Sequence, residues 1–244
     1  MRKIPVLLAT GVALVAVAVA PAVAQTPETT FTFKGAVSPK KAGTPKNPQG
    51  VKLTGSMKFE TVTQGVEEPI ITGADILLPK SGKWNGGKYK TCSKAVLNRK
   101  GPKGCNPKSI MGSAKGVAFA DTVDAKPTVT FVNGGATTLY AYTVLYNPTL
   151  VKEPVVIKIK KLSGGPWGYK VSFRVPESLQ IVAGVPVTLR SLNFNLGGKK
   201  YAKELITTTA CKGGKHVFQA TTFYLYNTGE RASKDTTSSV ACTK

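Results

Sequence analysis

The stretch Val51-Lys52-Leu53-Thr54-Gly55-Ser56-Met57-Lys58-Phe59-Glu60 decides the fold class of this chain. Its apolar residues, at positions 51, 53, 57 and 59, alternate with polar ones, and Gly55 completes the apolar face. Successive side chains of a β-strand point to opposite faces, so a period of two predicts a strand with one buried and one solvated face.

The same alternation recurs along the chain. Val155, Ile157 and Ile159 alternate with polar or outward positions, as do Val171, Phe173 and Val175. Further strands are predicted over residues 29–36, 69–78, 115–120, 127–133, 137–146, 204–210, 216–226 and 237–242. Between Val187 and Leu196 the apolar phase slips by one residue, which a β-bulge near Arg190-Ser191 would reconcile.

Turn signals separate these segments. Gly-Gly pairs stand at 86–87, 134–135, 164–165, 197–198 and 213–214, and the chain has 16 prolines. No segment of helical length shows a period of 3.6, and only residues 93–99 and 107–114 suit short helical turns. Regularly spaced strands with Gly and Pro between them predict an all-β fold, an antiparallel β-sandwich of immunoglobulin-like or jelly-roll-like type.

The pattern of strands and turns also predicts the domain organisation. We expect one β-sandwich domain over residues 25–244, with residues 38–50 as a flexible basic loop and residues 82–114 as a disulfide-closed excursion. Two smaller β subdomains are an alternative that the length also allows.

Residues 1–24 have the pattern of a signal peptide. Arg2 and Lys3 precede a largely apolar run, and Ala22-Val23-Ala24 supplies the small residues of a cleavage site before Gln25. An uncleaved membrane anchor is the alternative, although the run is short for one. We therefore expect an exported protein that is extracellular or loosely associated with the cell envelope, with no transmembrane segment after cleavage.

The four cysteines are expected to form disulfides, since exported chains with an even cysteine count usually do. Four cysteines allow three pairings. Proximity favours Cys92 with Cys105 and Cys211 with Cys242. A structural zinc site would need pairs two to four residues apart, and no two cysteines are that close.

Charge is the strongest feature of the composition. The chain has 34 Lys and Arg against 12 Asp and Glu, a net charge of +22, and 41% apolar residues, enough to build a core. The densest basic stretch holds six cations and no acid: Lys90, Lys94, Arg99, Lys100, Lys103 and Lys108. Because Lys predominates over Arg, we expect nonspecific, salt-sensitive attraction to an anionic cell-envelope polymer or another polyanion. Solubility and protection of strand edges are the alternative roles of these lysines.

Two tryptophans are candidate ligand-binding residues. Trp84 and Trp167 each stand in a Gly-rich segment, and we expect both in loops, where an exposed indole would stack on a sugar ring. The alternative is that each indole covers an open end of the fold and is largely buried.

The sequence gives little support for a catalytic site or a metal site. His216 is the chain's only histidine, and a triad would need a nucleophile and a carboxylate whose proximity the sequence does not show. Asp121 and Asp124 are too few for a calcium site, which takes six to eight oxygens. We assign no catalytic residue, no metal and no cofactor.

Several segments together resemble a poorly characterised family of secreted β-rich proteins from high-GC Gram-positive bacteria. They are Ala74-Asp75-Ile76-Leu77-Leu78-Pro79-Lys80, Cys92, Cys105-Asn106-Pro107-Lys108-Ser109, Met111-Gly112-Ser113-Ala114, and the layout from Cys211 to Cys242. The chain departs from the family pattern at Asn106, inserted before Pro107, and at Ser113-Ala114. The resemblance implies export, two local disulfides and a β-sandwich, and it implies no activity.

These observations favour a secreted, non-enzymatic binding or surface protein attracted to anionic polymers. A secreted polysaccharide-acting enzyme with an aromatic sugar-binding loop is one alternative, and a structural or assembly subunit is another. The oligomeric state is left open.

Overall fold

A computed structural model describes residues 29–61 and 68–244 of the chain. The signal-peptide prediction for residues 1–24 lies outside these residues. The strands are β1 (Thr29–Ser38), β2 (Gln49–Thr61), β3 (Ile70–Pro79), β4 (Gly82–Trp84), β5 (Ile110–Ala120), β6 (Val123–Asp124), β7 (Thr128–Gly135), β8 (Thr138–Leu145), β9 (Val151–Lys161), β10 (Trp167–Arg174), β11 (Ile181–Val182), β12 (Val185–Gly197), β13 (Ile206–Thr208), β14 (Lys215–Leu225) and β15 (Arg231–Ala241). The helices are α1 (Lys94–Lys100) and α2 (Glu177–Gln180), and short 3₁₀ turns cover Gly86–Lys88, Pro102–Gly104 and Pro107–Ser109.

The strands form one antiparallel hydrogen-bonded series. Its order is β15-β14-β3-β10-β9-β8-β7-β5-β12-β2-β13-β4, with β1 on β2, β6 on β5 and β11 on β12. The predicted all-β antiparallel class is confirmed. The assignment to an immunoglobulin-like or jelly-roll-like sandwich, and to a single domain, stays a prediction.

The series curls so that β1 and β15 lie side by side. The Ser238 hydroxyl donates a hydrogen bond of 3.0 Å to the Phe33 carbonyl. Beyond the strands, the Thr243 amide donates to the Lys40 carbonyl, and the Thr243 carbonyl accepts from the Ala42 amide. The basic loop predicted over residues 38–50 is therefore joined through its backbone to the last residues of the chain.

Apolar faces of distant strands meet inside this curl. Val51 is 1% exposed and packs with Val37 of β1 and Val240 of β15. Gly55 lies beneath two aromatic rings, since a Cβ built there would fall 2.5 Å from Phe194 and 2.8 Å from Phe33. The face that the sequence assigns to β2 is thus the buried face, and a glycine is needed where the rings cross the backbone.

The predicted bulge is confirmed. The pairing of β12 with β5 shifts register between Leu189 and Ser191. On either side of the shift, Val187 is buried and Phe194 packs against the core. The extra residue returns both apolar runs to the same face.

Four local predictions need correction. Residues 110–114 belong to β5 and are not helical, because Met111 and Ala114 face the core between β7 and β12. Trp84 ends β4 and Trp167 begins β10, so neither lies in a loop. The last strand begins at Arg231 and not at residue 237, since β14 offers it a full ladder of partners.

Both predicted disulfides are confirmed. Cys92 pairs with Cys105 and Cys211 pairs with Cys242, with Cα atoms 5.5 and 5.9 Å apart. Within residues 29–61 and 68–244, no helix is long and apolar enough to cross a membrane. Disulfides of this kind fit an extracellular protein.

Candidate functional site

The candidate site is the stapled basic segment, defined as residues 90–108, which lies between β4 and β5. It contains α1 and two 3₁₀ turns, and the Cys92–Cys105 disulfide closes it. The segment holds no carboxylate. All six of its basic side chains are exposed: Lys90, Lys94, Arg99, Lys100, Lys103 and Lys108. The structure therefore brings the predicted cations together on one closed excursion.

The short helix α1 forms because both of its ends are capped. The Ser93 hydroxyl accepts a hydrogen bond of 3.2 Å from the Val96 amide. Gly101, at φ 62°, ends the helix, and its amide donates to the Leu97 carbonyl. Arg99 and Lys100 occupy the last turn, where the helix dipole favours positive charge.

Leu97 anchors this helix to the sheet. Its side chain is fully buried and packs with Cys92, Val132 of β7 and Tyr142 of β8. Val132 lies on the face of β7 opposite to Phe131, which faces the main core. The segment thus covers the outer face of β7 and β8 and turns its charges to solvent.

Asn133 fixes the point where the chain enters the segment. The Asn133 side chain is fully buried, and its amide nitrogen donates to the carbonyls of Gly86, Tyr89 and Lys90 at 2.9 to 3.3 Å. Its oxygen accepts from the Gly135 amide. The sequence marks Asn133 only as the residue before a Gly-Gly turn, because the three carbonyls that it contacts lie more than forty positions away.

The exit from the segment is equally fixed. The Asn106 side chain accepts from the Lys108 amide at 2.9 Å, and the buried Ser109 hydroxyl donates to the Asn106 carbonyl at 2.6 Å. Local side-chain bonds of this kind stabilise tight turns. The charges between the two ends are therefore presented on a rigid backbone.

The electrostatic environment of the segment is positive. Lys94 Nζ lies 4.0 Å from Glu153, and the other five cations form no ion pair with a described residue. An exposed pair at this distance contributes little to stability. Beneath the helix, burial raises the pKa of Tyr142 above its usual value, and the Glu153 carboxylate raises it further, so this phenol stays neutral.

Trp84 packs against the core. Its indole is half-buried beside Ile206, and its Nε1 atom is buried without a hydrogen-bond partner among the described residues. A Cβ on Gly86 would fall 2.6 Å from that nitrogen, so the indole lies directly on this backbone. The half-buried indole thus contributes part of its area to the packing of the core.

Trp167 is also half-buried, at the start of β10 opposite Pro79. The exposed turn residues Gly164 and Gly165 precede it. Neither tryptophan belongs to the apolar cluster beneath the stapled basic segment. The structure does not join the aromatic and basic candidates in one site.

His216 has a neighbour that the sequence does not indicate. The Ser81 hydroxyl lies 3.2 Å from His216 Nδ1, although the two residues are 135 positions apart. The ring is buried, Nε2 has no hydrogen-bond partner among the described residues, and burial lowers the pKa of the imidazole. A catalytic triad needs a carboxylate on the second ring nitrogen, and no carboxylate of the described residues hydrogen-bonds to His216 Nε2.

The carboxylates that the structure describes do not gather in one place. Ion pairs join Glu68 to Arg190, Asp75 to Lys170 and Arg174, Asp124 to Lys126, Glu153 to Lys94, and Glu204 to Lys88. Asp124 also accepts from the Lys126 amide. Across the described ranges, no three metal-binding side chains converge.

Comparison of the chain with known protein families finds no match. Comparison with curated proteins finds none either.

Proposed function

We propose that this protein is a secreted, non-enzymatic binding protein that attaches to anionic polymers outside the cell or at the cell envelope. The observation that carries the proposal is the stapled basic segment. Six exposed cations stand on a backbone that a disulfide, a buried leucine and two asparagine side chains hold in place.

Rigidity matters because binding would not have to order the segment. A flexible basic loop loses conformational entropy when it binds, whereas a preorganised one loses little. The predominance of Lys suits attraction to charge density more than bidentate recognition of one group. Such binding should weaken steeply with salt.

The distribution of acidic groups favours this proposal over a polysaccharide-acting enzyme. Glycosidases use two carboxyl groups within about 5 to 10 Å across one bond. Here the carboxylates in ion pairs are held by different cations in different parts of the fold. Glu68, just before β3, pairs with Arg190 of β12, and Glu204, just before β13, pairs with Lys88 of a 3₁₀ turn.

The proposal includes export. Residues 1–24 would be removed as a signal peptide, which would expose Gln25 as the first residue and allow the two disulfides to form outside the cytoplasm. N-terminal sequencing of the protein recovered from a culture medium tests this step. A start at Gln25 is expected, and retention of Met1 on a membrane-bound protein would contradict it.

Co-sedimentation of the mature, oxidised protein with purified bacterial envelope over a salt series tests the binding. A variant with Lys90, Lys100, Lys103 and Lys108 changed to Gln should bind much more weakly than the wild type. In the matched control, four exposed lysines outside the segment are changed to Gln: Lys34, Lys58, Lys199 and Lys203. The two variants then have the same net charge. Equal binding by the two variants would contradict the proposal.

A further inference from the structure

A depression of about 540 Å³ lies at the end of β10, over the neighbouring strands β3 and β14, and reaches the start of β15. Volumes of this size are usual for small-molecule sites. The residues that line the depression include Thr72, Arg174, Gln180, Phe223, Arg231 and Ser233, whose side chains are polar or aromatic. The depression lies apart from the stapled basic segment, which packs on β7 and β8.

Strand register aligns its central residues in one row. Arg174 pairs with Gly73, Gly73 with Phe223, and Phe223 with Ser233, across β10, β3, β14 and β15. Residues directly opposite on adjacent strands share a face of the sheet. Arg174, Phe223 and Ser233 therefore project from the same side.

Gly73 lets the Arg174 side chain cross β3. A Cβ at this position would fall 2.8 Å from Arg174 Cδ. With no side chain in the way, the guanidinium reaches the Phe223 ring and stacks 4.3 Å from its centroid. The long side chain is thereby held flat over the sheet.

The guanidinium is held on one side only. Arg174 Nη1 donates to Asp75 at 2.9 Å and to the Phe173 carbonyl at 2.8 Å. A guanidinium has five N–H donors, and these two hydrogen bonds use both donors of Nη1. The Nε donor and the two Nη2 donors form no hydrogen bond with a described residue. Asp75 also pairs with Lys170 at 2.8 Å, so one carboxylate is shared by two cations and the local charge stays positive.

Arg231 supplies a second guanidinium. It is exposed, it stands two residues before Ser233 and so on the same face of β15, and it forms no ion pair with a described residue. Only five of the chain's 34 basic residues are arginine, and two of them line this one depression. Arginine forks match the geometry of phosphate and carboxylate groups, which a lysine does not.

We propose that this depression binds a single oxyanion, a phosphate or carboxylate group carried by a small molecule or a chain end, between Arg174 and Arg231. Arg174 is preorganised by Phe223 and Asp75, and Arg231 closes on the anion from β15. The Ser233 and Thr72 hydroxyls add donors in the same lining. This site differs from the stapled basic segment, because it recognises one group and does not depend on polymer charge density.

The test follows the arginine Nε–H resonances of the ¹⁵N-labelled mature protein at constant ionic strength. Glucose 6-phosphate and glucuronate serve as the phosphate and carboxylate probes. We expect saturable shifts of the Arg174 and Arg231 resonances with at least one probe, and which probe binds tighter identifies the anion. Shifts of the Arg174 and Arg231 resonances that do not saturate would overturn the proposal. Shifts of the same size at Arg99 and Arg190 would also overturn it.

Arg231→Gln is the decisive variant, because this residue is exposed and forms no ion pair with a described residue, so the change should leave the fold intact. Loss of one charged hydrogen-bonding group should weaken probe binding by about tenfold or more. The matched control is Arg99→Gln in the stapled basic segment, which should leave probe binding unchanged. Equal affinity of Arg231→Gln and wild type would overturn the proposal.

The two proposals fail separately. Arg231→Gln should retain envelope binding, and the variant lacking Lys90, Lys100, Lys103 and Lys108 should retain the saturable probe shifts. Loss of the probe shifts in that variant would contradict the proposal that the depression binds an anion without help from the stapled basic segment. Normal envelope binding by that variant would contradict only the proposed function.

Discussion

The hydroxyl of Ser81 lies 3.2 Å from Nδ1 of His216, and the buried histidine ring keeps its pKa below the usual value of 6.5. Burial is the cause, since it disfavours the charged imidazolium. As the pH falls below about 6.5, the unfolded chain binds a proton that the folded chain does not. The free energy of unfolding should therefore fall as the pH decreases from about 7 towards the lower pKa of the folded state.

His216→Gln tests this relationship. Because His216 is the chain's only histidine, the variant should flatten the pH dependence of stability between about pH 7 and 5. Urea unfolding at a series of pH values measures it. A wild-type protein whose stability is constant or rises as the pH falls through this range would contradict the burial of a neutral ring.

Leu97→Ala should destabilise the protein by about 2 to 5 kcal/mol, because the side chain is fully buried beneath the stapled basic segment. Urea denaturation measures the loss. Val96→Ala is the control, since Val96 is only half-buried in the same helix, and it should cost less. Equal losses in the two variants would show that Leu97 does not anchor α1.

Removing either disulfide should destabilise the protein, and removing the one that closes the longer loop should cost somewhat more. The Cys92–Cys105 loop spans 13 positions and the Cys211–Cys242 loop 31. The chain-entropy model gives about 3 kcal/mol for the shorter loop and about 3.7 kcal/mol for the longer one. Double Cys→Ala variants compared by urea unfolding test this order, and negligible loss from either would contradict a structural role for that bond.

Gly73→Ala should destabilise the sheet and displace Arg174. The new Cβ would fall 2.5 Å from the Phe173 carbonyl oxygen and 2.8 Å from Arg174 Cδ, closer than side chains tolerate. A loss of about 1 to 3 kcal/mol is expected from such overpacking. Gly82→Ala is the matched control, because the nearest atom to its Cβ is at 3.5 Å. A Gly73→Ala variant as stable as Gly82→Ala, with an unchanged Arg174 Nε–H resonance, would contradict the crossing of β3.

Much of the fold is predictable from local pattern. The period of two in β2 identifies its buried face, and the phase slip near Arg190 identifies the bulge, because a half-buried strand must alternate. Proximity also indicates the disulfide pairing. These features depend on residues that are close in sequence.

The rest depends on partners that are distant in sequence. The first half of β15, from Arg231, is polar and shows no alternation, and it becomes a strand because β14 pairs with it. Trp84 enters β4 because Ile206 of β13 lies opposite. The Ser81–His216 contact forms only when β14 lies beside β3, and the row from Arg174 to Ser233 requires four aligned strands, so no local pattern reveals either of them.

The salt dependence of polyanion binding tests the central proposal most directly. A short, labelled single-stranded oligodeoxynucleotide is a suitable probe, since log K for single strands falls by about 0.7 per phosphate contact for each unit of log salt. Fluorescence anisotropy would compare the variant lacking Lys90, Lys100, Lys103 and Lys108 with the control lacking Lys34, Lys58, Lys199 and Lys203. We predict a slope shallower by about 0.7 for each contacting lysine in the first variant, and a nearly wild-type slope in the control. Identical slopes in the two variants would contradict the account, because binding would then follow net charge and not the stapled basic segment.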